Sequence, residues 1–515
     1  MARLHEYQGK KLLKQHKIPV PQGGVARSPE EARQMAQEIG GEVMVKAQAW
    51  VTGRASMGGI KKASNPAQAQ EAAEHMLGLQ VKGFVVNEVL VEQRVEIARE
   101  FYAGIIIDDT AQKPLVMFSS VGGTGIEEIA AANPDKVARA HVDVNTGLLD
   151  FQARDLVRRT GIGGKLQLDL GNMLMRLFDL ARSYDARAAE INPLVQLADG
   201  SLMAADCRIT VDDYGVFRHP DLGIEIAREY DRPPTALERI AYEVEAKDYR
   251  GTFYFIQMAE GFQKGEGYVG FHGAGGGGSM MSMDAVMRQG YKLATFVDTS
   301  GNPPASKVYR AARIVLASGP VDGYFGSGSG VASQEQFHSA RGLVKAFLEE
   351  QCDVPVVIRL GGNSEDKAVE ILEWLNGWIP APVEGYKKDD PPDACAARLK
   401  ALIEEGKKVE PKKRPERAPG GEPRLYQFQT VSGGTITYDH SICATCESKV
   451  CVQECARKIL MLNEEGLPVL NISAEEAQKG RCVECLACEV DCFFKGAGGG
   501  KIELPIPGLD EYLGR

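Results

Sequence analysis

The chain has 515 residues and a formal net charge of −10, and at about 100–200 residues per domain this length predicts three or four domains. With 44% hydrophobic and 25% charged residues, the composition excludes a wholly disordered or fibrous chain. The acidic balance argues against a nucleic-acid-binding protein, which would carry a basic domain. There is no apolar run long enough to span a membrane and no signal-peptide core at the start of the sequence, so we expect a cytoplasmic protein without a membrane span.

Residues 1–230 alternate helical patterns with short β-branched runs, which predicts an α/β domain. The runs lie at 43–45, 84–91 and 104–107. The pair Pro233-Pro234 then breaks the chain, and we predict a helical connector over residues 231–264.

Residues 265–390 repeat a unit of strand, glycine loop and helix, which predicts a doubly wound parallel sheet. The predicted strands are 268–271, 295–297, 323–325 and 354–360, and the helices include 306–317 and 333–349. Residues 391–424 end in a stretch rich in proline, glycine and basic side chains, which predicts a solvated linker. Residues 425–515 are left as a small third domain.

Eight of the 11 cysteines lie in this last domain, in two runs of four. The runs are Cys443-x2-Cys446-x4-Cys451-x3-Cys455 and Cys482-x2-Cys485-x2-Cys488-x3-Cys492. Iron–sulfur clusters take four thiolates each, and in two-cluster ferredoxins the fourth cysteine of each run binds the other cluster. The spacing therefore predicts two [4Fe-4S] clusters, the first held by Cys443, Cys446, Cys451 and Cys492 and the second by Cys482, Cys485, Cys488 and Cys455. The alternative is a pair of structural zinc sites.

A lysine at the end of a predicted strand precedes a glycine-rich loop, GRASMGG, in the first domain. Lys46 would supply charge and the loop backbone N–H groups to a phosphate, although an ordinary turn with a surface lysine would look similar. Further along, Glu190, Asn192 and Asp206 lie on two candidate strands joined by a turn at Asp199-Gly200. Hard oxygen ligands that converge across such a hairpin favour Mg²⁺ bound to a nucleotide.

A second glycine-rich loop, HGAGGGGS, begins at His272 and leads from a strand into a helix. Such a loop offers free N–H groups and the positive end of the helix to an anion. The alternative is a plain connecting turn. His272 could carry a phosphoryl group, but we favour a neighbour that hydrogen-bonds the loop, and we expect Met280, Met281, Met283 and Met287 to be core residues.

Several motifs together resemble a known family. LHEYQ, the lysine–glycine loop, VE–IARE–Y, SSVGG, EINPL and VFRHPDL, followed by HGAGGGGSMMSMD and VPVVIRLGGN, are similar to the β subunit of succinyl-CoA synthetase and its ADP-forming acyl-CoA ligase relatives. The resemblance spans residues 1–390 and implies an ATP-grasp domain followed by a flavodoxin-like ligase domain. A small α+β ferredoxin-like domain would complete the chain.

The resemblance also implies roles for individual residues. Lys46, Gly53, Arg54, Glu92 and Glu100 would bind ATP, and Asn192 and Asp206 would hold Mg²⁺. His272, Gly273, Gly275 and Gly276 would form the catalytic loop that receives a phosphorylated histidine and the acyl phosphate. The family's loop carries a second lysine where this chain has Ser56.

The leading hypothesis is therefore an ATP-dependent ligase β subunit that joins a small carboxylic acid to coenzyme A. It would need an α-like partner that supplies the phosphorylatable histidine and most of the coenzyme A site. The clusters would carry electrons to or from a partner reductase. Two alternatives stay open: an electron-transfer subunit that uses the ligase fold as a docking platform, and a redox sensor that gates the ligase.

Overall fold

The computed structural model describes residues 2–51, 57–81, 83–122, 133–228, 232–328, 330, 332–413 and 422–515. The chain divides into two compact units, residues 1–233 and residues 234–515. Within the described ranges, every helix is too short or too polar to cross a membrane.

The first unit combines a seven-stranded sheet, a four-stranded sheet and a two-stranded ribbon among its described residues. Its strands are β1 Ala2–Arg3, β2 Gly23–Ala26, β3 Val43–Ala47, β4 Ile60–Ala63, β5 Gln80–Val81, β6 Phe84–Val85, β7 Val89–Gln93, β8 Ile97–Asp108, β9 Lys113–Ser119, β10 Val137–His141, β11 Ala186–Leu197, β12 Leu202–Ala204 and β13 Cys207–Val211. Its α-helices are α1 Glu6–Gln15, α2 Pro29–Ile39, α3 Pro66–Met76, α4 Asp150–Arg159 and α5 Gly164–Ser183.

The four-stranded sheet, in the order β2-β7-β3-β4, carries α2 and α3. Both helices begin with a proline that follows a capping side chain: Ser28 accepts the N–H of Glu31, and Asn65 accepts the N–H of Gln68. These caps satisfy backbone donors that the first helical turn leaves unpaired. The sheet is antiparallel throughout, and it places β3 and β7 side by side.

The seven-stranded sheet runs β1-β13-β11-β8-β9-β10, with β12 paired to β11. All of its pairings are antiparallel. α5 packs on it through an apolar face that includes Leu170, Leu174 and Leu177, positions four and three residues apart on one side of a helix. The sheet brings the end of β12 and the start of β13 next to the middle of β11.

The second unit contains the strands β14 Tyr254–Gln257, β15 Tyr268–Ala274, β16 Lys292–Asp298, β17 Gly323–Gly328, β18 Val356–Arg359, β19 Val383–Tyr386, β20 Leu425–Gln429, β21 Thr435–Asp439, β22 Leu460–Leu462, β23 Pro468–Leu470 and β24 Gly500–Glu503. Its α-helices are α6 Ala236–Ala246, α7 Gly276–Arg288, α8 Ala305–Leu316, α9 Phe337–Glu349, α10 Glu365–Glu373, α11 Pro392–Glu405, α12 His440–Cys443, α13 Val450–Gln453, α14 Ala474–Glu476, α15 Ala487–Lys495 and α16 Leu509–Tyr512.

A six-stranded sheet with the order β14-β16-β15-β17-β18-β19 forms the centre of the second unit. β15 to β19 are parallel, as predicted. The predicted connector over 231–264 is not only helical, because β14 adds an antiparallel edge strand to this sheet. In parallel α/β sheets, ligands bind beyond the carboxyl ends of the strands, which here carry the second glycine loop.

The predicted linker 391–424 is wrong in its first part, where residues fold as α11. Cys395, Leu399 and Leu402 are buried on one face of this helix, at the spacing of an amphipathic helix. The helix packs against the core of the parallel sheet.

Residues 425–515 form a three-stranded sheet, β20-β21-β24, and a hairpin, β22-β23. Their apolar side chains join one continuous core with the six-stranded domain: Leu343 and Phe347 of α9 belong to the same cluster as Tyr438 and Ile502. The part of the chain that carries the cysteines is therefore packed onto its neighbour.

Candidate functional site

Lys46 lies at the end of β3 in the first unit, and its side chain is buried. Its ammonium group is 2.8 Å from Glu6 Oε1 and 2.7 Å from Glu92 Oε1, and it donates to the backbone oxygen of Ala205 at 2.9 Å. Glu92 stands on β7, diagonally opposite Lys46 across the antiparallel pair, a spacing that long side chains can bridge. Two predicted nucleotide-binding residues therefore meet.

Lys10 and Glu6 complete this network, and the sequence analysis missed both. They are one turn apart on α1, with Lys10 Nζ 2.8 Å from Glu6 Oε1 and 2.5 Å from Glu92 Oε2. Lys10 also donates to the oxygen of Ala205 at 2.8 Å. The i, i+4 spacing of glutamate and lysine was the available signal, but this pattern usually marks a solvated helix face.

The charge of Lys46 is held by its surroundings. Burial alone would lower the pKa of Lys46, but the carboxylates of Glu6, Glu92 and Asp206 outweigh it and raise the pKa above its ordinary value. Lys46 therefore stays protonated at neutral pH and keeps a full positive charge in a buried position.

Asn192 and Asp206 lie next to each other, as the predicted hairpin requires. The N–H of Asn192 on β11 donates to the backbone oxygen of Asp206 at 3.1 Å, and Asp206 Oδ1 accepts the N–H of Cys207 at 2.7 Å. Glu190, two residues before Asn192, accepts from Tyr102 OH at 3.2 Å. The backbone oxygen of Ala205 accepts hydrogen bonds from both Lys46 and Lys10. The hairpin and the Lys46 network therefore form one site.

Among the other predicted ATP-binding residues, the structure describes Glu100, which is not part of this buried network. Glu100 is exposed near the start of β8, on the same face as Tyr102 because side chains alternate along a strand. Gly53, Arg54 and Ser56 lie outside the described residues.

An aromatic stack stands where the chain leaves β3 towards the first glycine loop. The rings of His5 and Trp50 are 5.1 Å apart and inclined by 19°. They line a cleft of about 250 Å³ together with Tyr7 and Arg228. The cleft lies within the first unit; His5 and Tyr7 belong to the LHEYQ motif, to which the sequence analysis assigned no role.

The second glycine loop leads into the N-terminus of α7 in the second unit. Gly275 precedes α7 with φ +100°, a conformation that favours glycine. Its N–H donates to Asp298 Oδ1 at 2.9 Å, and Asp298 Oδ1 also accepts the N–H of Ser300 at 2.8 Å. Asp298 therefore holds the loop in place, a role that the sequence analysis did not assign.

The glycines of this loop have different reasons to be glycine. A Cβ on Gly273 would lie 2.4 Å from Ser279 Oγ, so close packing excludes any side chain. At Gly276 and Gly277 nothing lies within 4 Å of a Cβ position. Packing does not require glycine there, and the first turn of α7 is left open to an approaching group.

His272 is buried at the end of β15 and hydrogen-bonded on both ring nitrogens. Nδ1 is 2.7 Å from Tyr324 OH, and Nε2 is 3.4 Å from Thr299 Oγ1. Burial lowers the pKa of His272 to about 3, so the imidazole is neutral. These contacts fit a supporting neighbour of the loop better than a phosphoryl carrier.

The loops after β16, β17 and β18 meet at the same sheet edge. Asn302 Nδ2 donates to Ser333 Oγ at 3.0 Å, and Asn363 Nδ2 donates to the Ser333 backbone oxygen at 2.7 Å. The methionine prediction is wrong for most of α7: Met280, Met281 and Met287 are 62%, 67% and 52% exposed. An exposed apolar strip therefore lies beside the second glycine loop.

The eight cysteines of the last domain separate into two sets. In the first set, burial and then the thiolates of Cys492 and Cys446 raise the pKa of Cys443 to about 12. Burial, and then the thiolates of Cys492, Cys443 and Cys446, also raise the pKa of Cys451. Thiolates influence each other in this way only at short range, so these four lie together.

The second set contains the remaining four cysteines. Burial, and then neighbours that include Cys485 and Cys455, raise the pKa of Cys482. Cys455, Cys482, Cys485 and Cys488 line one cavity whose other walls are largely apolar, including Phe428, Ile459 and Leu486. Cys492 therefore lies near the first run and Cys455 near the second. That each set holds a [4Fe-4S] cluster stays a prediction.

Four thiolates around an apolar cavity suit a cluster, in which each cysteine binds a different iron atom. As placed in the described residues, no group of three or more His, Cys, Asp or Glu side chains is arranged to hold a single metal ion.

Comparison with known proteins identifies relatives of most of the chain. A family model for the ATP-grasp domain matches residues 3–196. The β subunit of a GDP-forming succinate–CoA ligase from Thermus thermophilus is 39% identical over 386 residues, 75% of this chain and 97% of the relative. An ADP-forming counterpart from Roseiflexus sp. (strain RS-1) is 38% identical over 72% of this chain and 93% of its own length.

Solved structures show the same fold at lower identity. ATP citrate lyase from Methanothrix soehngenii, solved with citrate and coenzyme A, superposes with a TM-score of 0.64 at 18% identity, covering 78% of this chain and 99% of its own. Identity over nearly the full length of the curated relatives places the chain among them. The chain therefore belongs to the family of succinate–CoA ligase β subunits and is an acid–CoA ligase.

Proposed function

We propose that this chain is the nucleotide-binding subunit of an ADP-forming acid–CoA ligase with two fused [4Fe-4S] clusters. It would act with an α-like subunit that binds coenzyme A and carries a phosphorylatable histidine. The clusters would carry electrons to or from a partner reductase. The observation that carries the proposal is the site that joins the buried Lys46 and Glu92 to the half-buried Asn192 and Asp206.

The first unit would bind magnesium and the nucleotide phosphates. Asn192 and Asp206 supply the amide and carboxylate oxygens that Mg²⁺ prefers, and they lie beside the protonated Lys46. Bound Mg²⁺ would neutralise charge on the transferring phosphoryl group. Lys46 would offer a second positive charge, and the cleft beside His5 and Trp50 suits the planar base of a nucleotide.

The second unit would receive the phosphoryl and acyl groups. The open first turn at Gly276 and Gly277 presents backbone N–H groups and the positive end of a 13-residue helix to an anion. Asp298 fixes the loop through Gly275, and the exposed methionines of α7 offer an apolar surface to an α-like partner. The chain's contribution is positioning and charge stabilisation.

A matched pair of variants tests the ligase site. The full-length chain, combined with a CoA-binding α subunit, should form ADP from ATP only when both a carboxylic acid and coenzyme A are present. Asp206→Asn should reduce the rate by about 10²-fold or more, because a charged magnesium ligand is lost. Asp199→Asn alters an exposed acid in the turn of the same hairpin and should keep the rate. Equal activity in both variants would show that Asp206 does not bind the magnesium ion.

The clusters require a second test. Anaerobically purified protein should contain about eight iron atoms. Cys446→Ser and Cys485→Ser, one from each set, should each remove about half of the iron, whereas the buried Cys352→Ser, outside both sets, should remove none. Zinc in place of iron would support the structural zinc alternative.

The electron-transfer alternative gives a different pattern. A docking platform would retain iron and bind Mg-ATP, but it would form no ADP with any acid in the presence of the α subunit. The same two assays therefore separate the proposals.

A further inference from the structure

Two cationic side chains are buried where α9 meets the cysteine-bearing domain. Arg341 is 0% exposed and Lys345 is 2% exposed. Lys345 is held by Glu489 at 2.7 Å and Glu349 at 2.6 Å. A guanidinium without water needs compensating partners, so the surroundings of Arg341 indicate what it does.

Arg341 is tied to both cysteine runs. Its Nε donates to Asp491 Oδ2 at 2.7 Å, and its Nη2 donates to Asp491 Oδ1 at 3.0 Å and to Glu454 Oε2 at 3.1 Å. Asp491 immediately precedes Cys492, and Glu454 immediately precedes Cys455. These bonds fix a cation of the six-stranded domain against the segments that would hold both clusters.

The third nitrogen of the guanidinium differs from the other two. Nη1 is buried and has no hydrogen-bond acceptor among the described residues. An unsatisfied buried donor is unfavourable. The Arg341 guanidinium lies within electrostatic range of Cys485, but no hydrogen bond joins them. A sulfur of the second cluster would provide the acceptor that Nη1 lacks.

This inference rests on the proposed clusters. We propose that Arg341 is a positioning residue that sets the reduction potential of the second cluster through its buried charge and the unsatisfied donor Nη1. Each one-electron reduction makes the cluster more negative. A nearby cation and N–H donor therefore stabilise the reduced form more than the oxidised form and raise the potential. The potential would thus be set by a side chain of the ligase domain.

The test is a mediated redox titration of the anaerobic full-length protein, followed by electron paramagnetic resonance. Arg341→Gln should lower the reduced-to-oxidised ratio of the second cluster about tenfold at a fixed potential, equivalent to about 59 mV for one electron. Arg341→Lys keeps the charge but loses the planar set of N–H donors, and it should lower the potential by a smaller amount. Arg341→Lys also serves if Arg341→Gln fails to fold, because it keeps a cation against the buried carboxylate of Asp491.

Arg515→Ala is the matched control. Its guanidinium lies 2.9 Å from Glu350, so it also joins the last domain to the end of α9, but neither residue adjoins a cysteine. Arg515→Ala should leave both potentials unchanged, and an equal shift in it would overturn the proposal. Unchanged potentials in iron-loaded Arg341→Gln, or in Arg341→Lys where Arg341→Gln does not fold, would overturn it too. An iron-free wild type would overturn the clusters themselves, a result that the iron assay separates from the others.

Discussion

Replacing Lys10 by methionine would leave two buried carboxylates with one cation. Lys10 Nζ lies 2.8 Å from Glu6 and 2.5 Å from Glu92, and all three side chains are buried. At 2.8 Å the attraction of one such pair is on the order of 6 kcal/mol for an effective dielectric constant of about 20. Desolvation offsets part of this, and breaking a buried pair costs about 3–5 kcal/mol. We expect the free energy of unfolding of the first unit to fall by that amount.

Native-state hydrogen exchange on peptides from β3 and β7 measures this loss within the first unit alone. Lys14→Met changes an exposed lysine on the same helix and should change the free energy by less than about 0.5 kcal/mol. Lys10→Met/Glu92→Gln removes one charge of each sign and should recover most of the loss. A loss below about 1 kcal/mol in Lys10→Met, or an equal loss in Lys14→Met, would refute the reasoning.

Three further predictions concern the second glycine loop. Because burial lowers the pKa of His272 to about 3, the unfolded state binds the extra proton between about pH 6.5 and 3. Stability should fall by about 1.4 kcal/mol per pH unit as the pH drops through this range. His272→Asn should remove that part of the slope in thermal unfolding. Gly275→Ala should destabilise the protein by about 1–3 kcal/mol because φ is +100°, whereas Gly276→Ala should keep stability but slow ADP formation. Asp298→Ala, which frees two backbone donors, should slow the same reaction, and unchanged rates would contradict the anion site.

The parallel sheet could be predicted because its strands are buried on both faces and show as continuous apolar runs between helices. The edge strand β14 could not be recognised in this way. It is four residues long and pairs antiparallel with β16, so only the tertiary partner reveals it. The crossed cysteine sets follow the plan of two-cluster ferredoxins, and their binding of iron stays a prediction.

Charged residues were harder to interpret than apolar ones. Arg341 and Lys345 lie in a helix whose pattern does not show that both would be buried, because the carboxylates of the last domain that pair with them are more than a hundred residues away. Lys46 was recognised, yet its ion pair with Glu6 depends on how α1 packs. The exposed methionines of α7 show the converse limit, since an apolar side chain does not by itself indicate a core position.

The shared apolar core of the second unit has a consequence for how this protein can be divided. Phe347 of α9 and Tyr438 of β21 belong to one cluster, and Gly508, near the C-terminus, lies against Ile240 of α6. The cysteine-bearing portion is therefore not a separable module. A version cut before residue 425 would expose apolar surface of the ligase domain, and we expect such a version to unfold or aggregate.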